Sequence, residues 1–221
     1  MKKRNWILLS FFCWNAVAAQ TDTLKKFPNG NILRRHIGAM QLLSPSGVEL
    51  GSWKETTQNI KKWDMSLSIV RRTDSTGKRG TGIFDQLNGV FVLPMEYEQL
   101  VQADYTKGIF ETRIGKKYGY FNIINSNAIP AVFDFARKHL NPNWYIVCVS
   151  GARNCGYVYN DQFQLLDSFP GMKSVRNRIV SGNREWLHIN MADCQGLLDK
   201  ENKLVFRKEW MHVHDVKGMT A

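Results

Sequence analysis

Beyond its first nineteen residues the chain has no apolar run approaching the ~20 residues that a membrane-spanning helix needs, so no transmembrane segment is expected in the mature protein. Acidic residues are scarce, 19 against 30 Lys and Arg, which leaves a formal charge of +11 and excludes an acidic, solvating chain. Cysteine is sparse as well: past the first nineteen residues only Cys148, Cys155 and Cys194 occur, and three thiols cannot all pair. No serine or cysteine stands in a recognisable nucleophile context, and no Walker-type spacing is present. These absences predict a protein without catalytic residues and without a cofactor. A hydrophobic fraction of 43% excludes disorder and is enough for one domain with a sizeable core.

The first residues have the three-part layout of a secretory leader. Lys2, Lys3 and Arg4 supply the positive end, Trp6 to Val17 the apolar stretch, and Ala16, Val17, Ala18 and Ala19 the small residues that a peptidase pocket accepts, with cleavage expected before Gln20. Cys13 follows Ser10, Phe11 and Phe12 and lacks the small-residue run that precedes a lipidated cysteine, so no lipid anchor is expected. The reading is an exported protein, periplasmic or extracellular and associated with the outer envelope. Removing the leader takes away three positive charges and leaves about +8. Outside the cytoplasm this favours anionic surfaces, such as lipid head groups or acidic wall polymers, over nucleic acid.

One unit recurs along the rest. Gly82-Ile83-Phe84-Asp85, Gly119-Tyr120-Phe121-Asn122, Gly156-Tyr157-Val158-Tyr159-Asn160 and Gly196-Leu197-Leu198-Asp199 start with glycines spaced 37, 37 and 40 residues apart. Upstream of each lies a β-favouring run and a polar or glycine-containing turn: Ser66 to Val70, Gly108 to Arg113, Trp144 to Val149 and Trp186 to Asn190. Downstream comes a turn, clearest at Asn88-Gly89, and a third strand. The pattern predicts about four three-stranded antiparallel meanders, open or closed into a propeller-like ring. Two units end alike, with Pro94-Met95-Glu96-Tyr97 and Pro130-Ala131-Val132-Phe133, where proline belongs at a strand edge and the aromatic can anchor the next unit. A fainter copy is indicated near Met40, at Leu42-Leu43-Ser44-Pro45-Ser46-Gly47-Val48.

These residues resemble the WG repeat, a β-forming unit of bacterial proteins with the approximate pattern Trp-Gly-aromatic-apolar-Asp, a turn glycine, apolar residues, Pro and Tyr-Asp. Tyr118 to Asn122 and Gly82 to Glu98 match it best, over a region of roughly 66 to 207. Thr81, Tyr118, Cys155 and Gln195 stand where the pattern has tryptophan. The resemblance implies a binding or scaffolding array with no shared catalytic activity, and it brings no site residues.

Asp85, Asn122, Asn160 and Asp199 recur at strand ends, where a short side chain accepts a hydrogen bond from the backbone two residues on. The segment Gly77-Lys78-Arg79-Gly80-Thr81-Gly82 has the composition of a phosphate cradle, but it joins two strands and is expected to be a plain hairpin. Basic pairs such as Arg71-Arg72 and Lys116-Lys117 are scattered, and adjacent strand residues point to opposite faces. His212, His214 and Asp215 are the weak metal candidates, short of a third neighbouring ligand pattern. For a hairpin turn centred on Gly151-Ala152, Cys148 falls opposite Cys155, a candidate disulfide, with Cys155 to Cys194 the second option and free thiols the third. Trp53, Trp63, Trp144, Trp186 and Trp210 are read as packing residues before they are read as a sugar platform.

The expected organisation is a signal peptide (1–19), an N-terminal capping segment with a degenerate repeat (20–65), a β-repeat domain (66–210) and a C-terminal tail (211–221). The expected function is a non-catalytic interaction module of the bacterial envelope. Its partner is a protein or an anionic polymer or glycan, with an enzyme at the repeat junctions or a purely structural protein as the alternatives.

Overall fold

The computed structural model describes residues 21–206 apart from 63, 64, 74, 105, 152, 153 and 193. The expected leader, Trp63, Trp210, the tail from 211 and the candidates His212, His214 and Asp215 lie outside the described residues.

The described chain is all-β, folded as five four-stranded antiparallel sheets formed one after another. Sheet 1 comprises β1 (Thr21–Lys26), β2 (Ile32–His36), β3 (Ala39–Leu43) and β4 (Glu49–Trp53). Sheet 2 comprises β5 (Glu55–Lys62), β6 (Met65–Thr73), β7 (Arg79–Asp85) and β8 (Val90–Tyr97). Sheet 3 comprises β9 (Gln99–Asp104), β10 (Ile109–Ile114), β11 (Lys117–Asn122) and β12 (Ala128–Phe133). Sheet 4 comprises β13 (Phe135–Lys138), β14 (Trp144–Val149), β15 (Cys155–Asn160) and β16 (Leu165–Pro170). Sheet 5 comprises β17 (Met172–Ser181), β18 (Arg184–Met191), β19 (Gln195–Leu198) and β20 (Leu204–Phe206). Each strand pairs with its sequence neighbour, the build of a propeller blade. The repeat unit is thus four strands where the sequence indicated three, and there are five units where it indicated about four. The region 20–65, expected to cap the array with few clear strands, carries all of sheet 1.

Among the described residues the core is divided into four parts, with apolar side chains filling the gaps between consecutive sheets. Val70 and Phe84 face sheet 1, where Trp53 packs 4.9 Å from Phe84, while their neighbours Ile69 and Ile83 face sheet 3 and meet Phe110 and Phe121. Tyr120 and Ile109 turn the other way, toward Tyr145 and Val147 of sheet 4, and Ile146 and Val158 pack on Met172 and Ile189 of sheet 5. Strands buried on both faces cannot alternate apolar with polar, which is why β14 reads as a continuous apolar run and why β7 and β10 carry adjacent apolar pairs, Ile83-Phe84 and Ile109-Phe110. Each fully buried Ile, Leu or Phe contributes about 1.5–3 kcal/mol relative to exposure.

The repeat glycines share one setting. Gly82, Gly119, Gly156 and Gly196 all lie buried on the third strand of their sheets, opposite Val70, Thr112, Cys148 and Ile189. At Gly82 and Gly119 the fourth strand bulges: Thr81 pairs with Tyr97 and Ile83 with Leu93, so Pro94-Met95-Glu96 faces the lone glycine, and Pro130-Ala131-Val132 does the same opposite Gly119. A β-carbon on Gly82 would come 2.6 Å from the Leu93 carbonyl oxygen. The aromatic that ends the bulge then anchors the next sheet, as Phe133 does 5.9 Å from Tyr157.

The cysteine register differs from the expected one. Cys148 opposes Gly156 and Val149 opposes Cys155, so the two thiols occupy adjacent rather than facing positions, and Cys148, Cys155 and Cys194 are free. One residue of register moves a side chain to the other face of the sheet, and the disulfide geometry inferred from the turn is lost with it. Burial of Cys148 raises its thiol pKa to about 12, with the nearby Cys155 adding to the shift, so Cys148 is an inert core group.

Candidate anion-binding cleft

The recurrent acidic and amide residues act as the sequence indicates. Asp85, Asn122, Asn160 and Asp199 each accept a hydrogen bond from the backbone N–H two residues on, at 2.8, 2.9, 3.0 and 2.9 Å. These turns also lock neighbouring sheets together: Asn31 donates to the Gly89 carbonyl at 2.8 Å, and Asn127 to that of Gln162 at 3.1 Å. Among the described residues no cluster of His, Cys, Asp and Glu has the makings of a metal site.

Charge at this end of the sheets is internally matched. Lys107 pairs with Asp161 at 2.8 Å and Lys138 with Asp104 at 2.7 Å, joining sheets 3 and 4. Burial alone would raise the Asp104 pKa, but hydrogen bonds from Lys138 and Thr106 outweigh it and hold the carboxyl down at about 2.

The opposite end, where second and third strands turn, is different. The β6–β7 hairpin turns at Gly77, whose φ of 82° is the left-handed conformation that glycine adopts without strain. It carries Lys78 and Arg79 up between two hollows. A cleft of about 540 Å³ is lined by Arg71, Gly77, Lys78, Arg79, Glu98, Gln99 and Arg113. On the other side of the hairpin, a smaller hollow of about 190 Å³ is lined by Arg72, Lys78, Arg79, Gly80, Met95 and Glu96. Arg71 and Arg72 thus enter separate hollows, the consequence of strand alternation. The larger cleft joins sheets 2 and 3, since Glu98 links β8 to β9 and donates its backbone N–H to the Arg113 carbonyl at 2.9 Å. Arg113 is held in place: its Nε donates to the Gly115 carbonyl at 2.7 Å, and its guanidinium lies 5.7 Å from the Tyr118 ring centre.

Four cations against one carboxylate line this cleft. Such a set, gathered where sheets 2 and 3 meet, raises the local concentration of anions and offers guanidinium forks to phosphate or carboxylate oxygens. The Gly77–Gly82 segment is a hairpin, as expected from sequence; its cations belong to a cleft completed by Arg71, which in the sequence is only one of the scattered basic pairs, and by Glu98, Gln99 and Arg113. A signal for two of them exists. Arg71 and Arg113 are each the residue after the partner of a repeat glycine, so aligning the second strands places both at one repeat position.

The tryptophans divide by location. Trp53 is 4% exposed in the core between sheets 1 and 2. Trp144 is half-buried against the core between sheets 4 and 5, whereas Trp186 lines a separate cleft.

No family model matches the chain, and no curated protein matches it. Several solved structures show a weak likeness. A eukaryotic initiation factor is 9% identical with a TM-score of 0.32 over 87% of this chain and 66% of that one. A TolB from Agrobacterium tumefaciens is 13% identical with a TM-score of 0.32 over 85% of this chain and 80% of that one. The N-terminal domain of Nup159 is 8% identical with a TM-score of 0.35 over 83% of this chain and 60% of that one. Likeness at this level carries no argument about function.

Proposed function

We propose that this chain is an exported, non-catalytic β-repeat binding module, built from degenerate WG-like units, that holds an anionic polymer of the bacterial envelope at the basic cleft between sheets 2 and 3. The observation that carries the reading is the lining itself: Arg71, Lys78, Arg79 and Arg113 converge with a single carboxylate, Glu98. A polymer bearing phosphates or uronates can run across the β6–β7 hairpin and meet cations on both of its sides. The leader-like first nineteen residues and the basic balance of the whole chain support an envelope setting. The enzyme alternative rested on His212, His214 and Asp215, which lie outside the described residues.

Binding of poly(glycerol phosphate) and polygalacturonate to the mature protein tests the reading. Affinity should fall with added salt, because the contacts are solvent-accessible charges. Replacing Lys78 and Arg79 by glutamine should lower it by about 10-fold, on the scale of two exposed charge contacts. Equal affinity of the variant and the parent would remove the cleft as the site. Retention in the envelope fraction with no binding to either polymer would favour the structural alternative.

A further inference from the structure

We propose a second, chemically separate binding site, a cleft at the ends of sheets 4 and 5 that takes a neutral sugar ring of a glycan. The cleft measures about 610 Å³, room for one or two pyranose rings. Leu140 enters from the β13–β14 turn, Arg184 and Trp186 from the β17–β18 hairpin, and Asp199 and Glu201 from the β19–β20 turn. It goes beyond the anionic-polymer reading, because the two clefts share no residue and oppose one another in charge.

Trp186 is the first argument. A partly buried indole lining a cleft offers apolar surface bordered by polar groups, which matches a pyranose with its C–H face on one side and hydroxyls around its rim. Of the described tryptophans, Trp53 and Trp144 pack into cores instead, so Trp186 is not explained as a repeat of their packing.

The polar lining is the second. Asp199 is fixed by accepting the backbone N–H groups of Glu201 and Lys203 at 2.9 and 2.8 Å, while Glu185 pairs with Arg178 at the exposed rim. A carboxylate held as Asp199 is makes an oriented acceptor for a sugar hydroxyl and loses little freedom when a ligand arrives. Three carboxylates, Glu185, Asp199 and Glu201, stand against Arg184 and Lys200 in the lining, a balance that disfavours an anionic ligand. With those two cations present and no metal-ligating cluster among the described residues, a metal ion is also disfavoured.

The experiment uses the mature chain, a panel of neutral oligosaccharides, and tryptophan fluorescence titrations with maltotriose and the N-acetylglucosamine dimer. At least one neutral saccharide should bind, perturb the fluorescence and hold its affinity as salt is raised. Trp186→Ala should weaken binding roughly 10-fold or more, the loss typical of an aromatic anchor, whereas Trp186→Tyr keeps a ring and should retain most of it. The Lys78→Gln, Arg79→Gln protein should bind the saccharide as the parent does, so loss of the anionic-polymer reading leaves this one standing and the reverse. No binding by any neutral saccharide overturns the proposal, as does unchanged affinity in a folded Trp186→Ala protein. Affinity that collapses with salt, or binding confined to acidic glycans or peptides, overturns it too.

Discussion

His139 shows how one buried group couples the fold to pH. It is 5% exposed, its Nδ1 accepts the Asn141 backbone N–H at 2.9 Å, its ring lies 5.2 Å from that of Trp144, and its Nε2 has no partner. Burial lowers its pKa from 6.5 to about 4, against a smaller opposing pull from Asp199. The unfolded chain therefore binds a proton that the folded chain refuses between these values, and stability falls as pH drops through that window. At about 1.4 kcal/mol per pH unit, the unfolding free energy from urea titrations should decline by up to roughly 3 kcal/mol, and His139→Gln should flatten the decline. Asp104 acts in a separate window. Its carboxyl is held at about 2 against an ordinary 3.8, so the stability from its pairing with Lys138 is present above 3.8 and is lost only as pH falls toward 2. A pH profile of the His139→Gln protein that matches the parent between 6.5 and 4 would count against the buried neutral imidazole.

Among the elements, the repeat glycine and the proline bulge form one device. Opposite Gly119 the fourth strand places Pro130-Ala131-Val132 against a single residue, and a β-carbon there would collide with the Ile129 carbonyl and the Pro130 backbone. Gly115, at the β10–β11 turn, is special for another reason: its φ is 59°, yet a β-carbon would meet nothing within 4 Å. Gly119→Ala should therefore cost about 1–3 kcal/mol through overpacking, and more than Gly115→Ala, whose penalty is the ~1 kcal/mol of a left-handed turn residue. Paired urea melts measure both, and the reverse order would mean that the bulge yields easily. Gly82, Gly119 and their proline endings were legible in the sequence because the bulged fourth strand leaves no room for a β-carbon, whereas Gly156 instead faces the Met172 side chain. The first strands of the sheets were not legible. Strands such as β5 (Glu55–Lys62) and β9 (Gln99–Asp104) lie at sheet edges; the sequence of β5 is polar except at Ile60, and in β9 Leu100 and Val101 are adjacent, so no apolar alternation marks them. For the cleft, the Gly77–Gly82 cations could be read directly, while Glu98, Gln99 and Arg113 arrive from the next sheet, a neighbour relation visible only once the unit has four strands.

For the molecule as a whole, what matters is that cohesion is distributed over inter-sheet gaps. Every extensive contact between sheets joins sequence neighbours among the described residues: β4 with β6, β8 with β10, β12 with β14, β15 with β17. A stack held in this way behaves as a chain of nearest-neighbour interfaces, and damage to one gap need not reach the next but one. Sheets 2, 3 and 4 have a filled gap on either side, whereas β1 of sheet 1 is exposed through most of its length. Amide hydrogen exchange should find β7, β11 and β14 slowest and β1 fastest. Phe110→Ala removes a fully buried ring from the gap between sheets 2 and 3, a loss of about 3–5 kcal/mol, and should speed exchange in β7 and β11 while leaving β18 near its parent rate. Uniform acceleration across all five sheets would show instead that the array unfolds as a single cooperative body. In that case a ligand held at the basic cleft would stabilise sheet 5 as strongly as the sheets it touches, while a nearest-neighbour stack confines most of that protection to sheets 2 and 3.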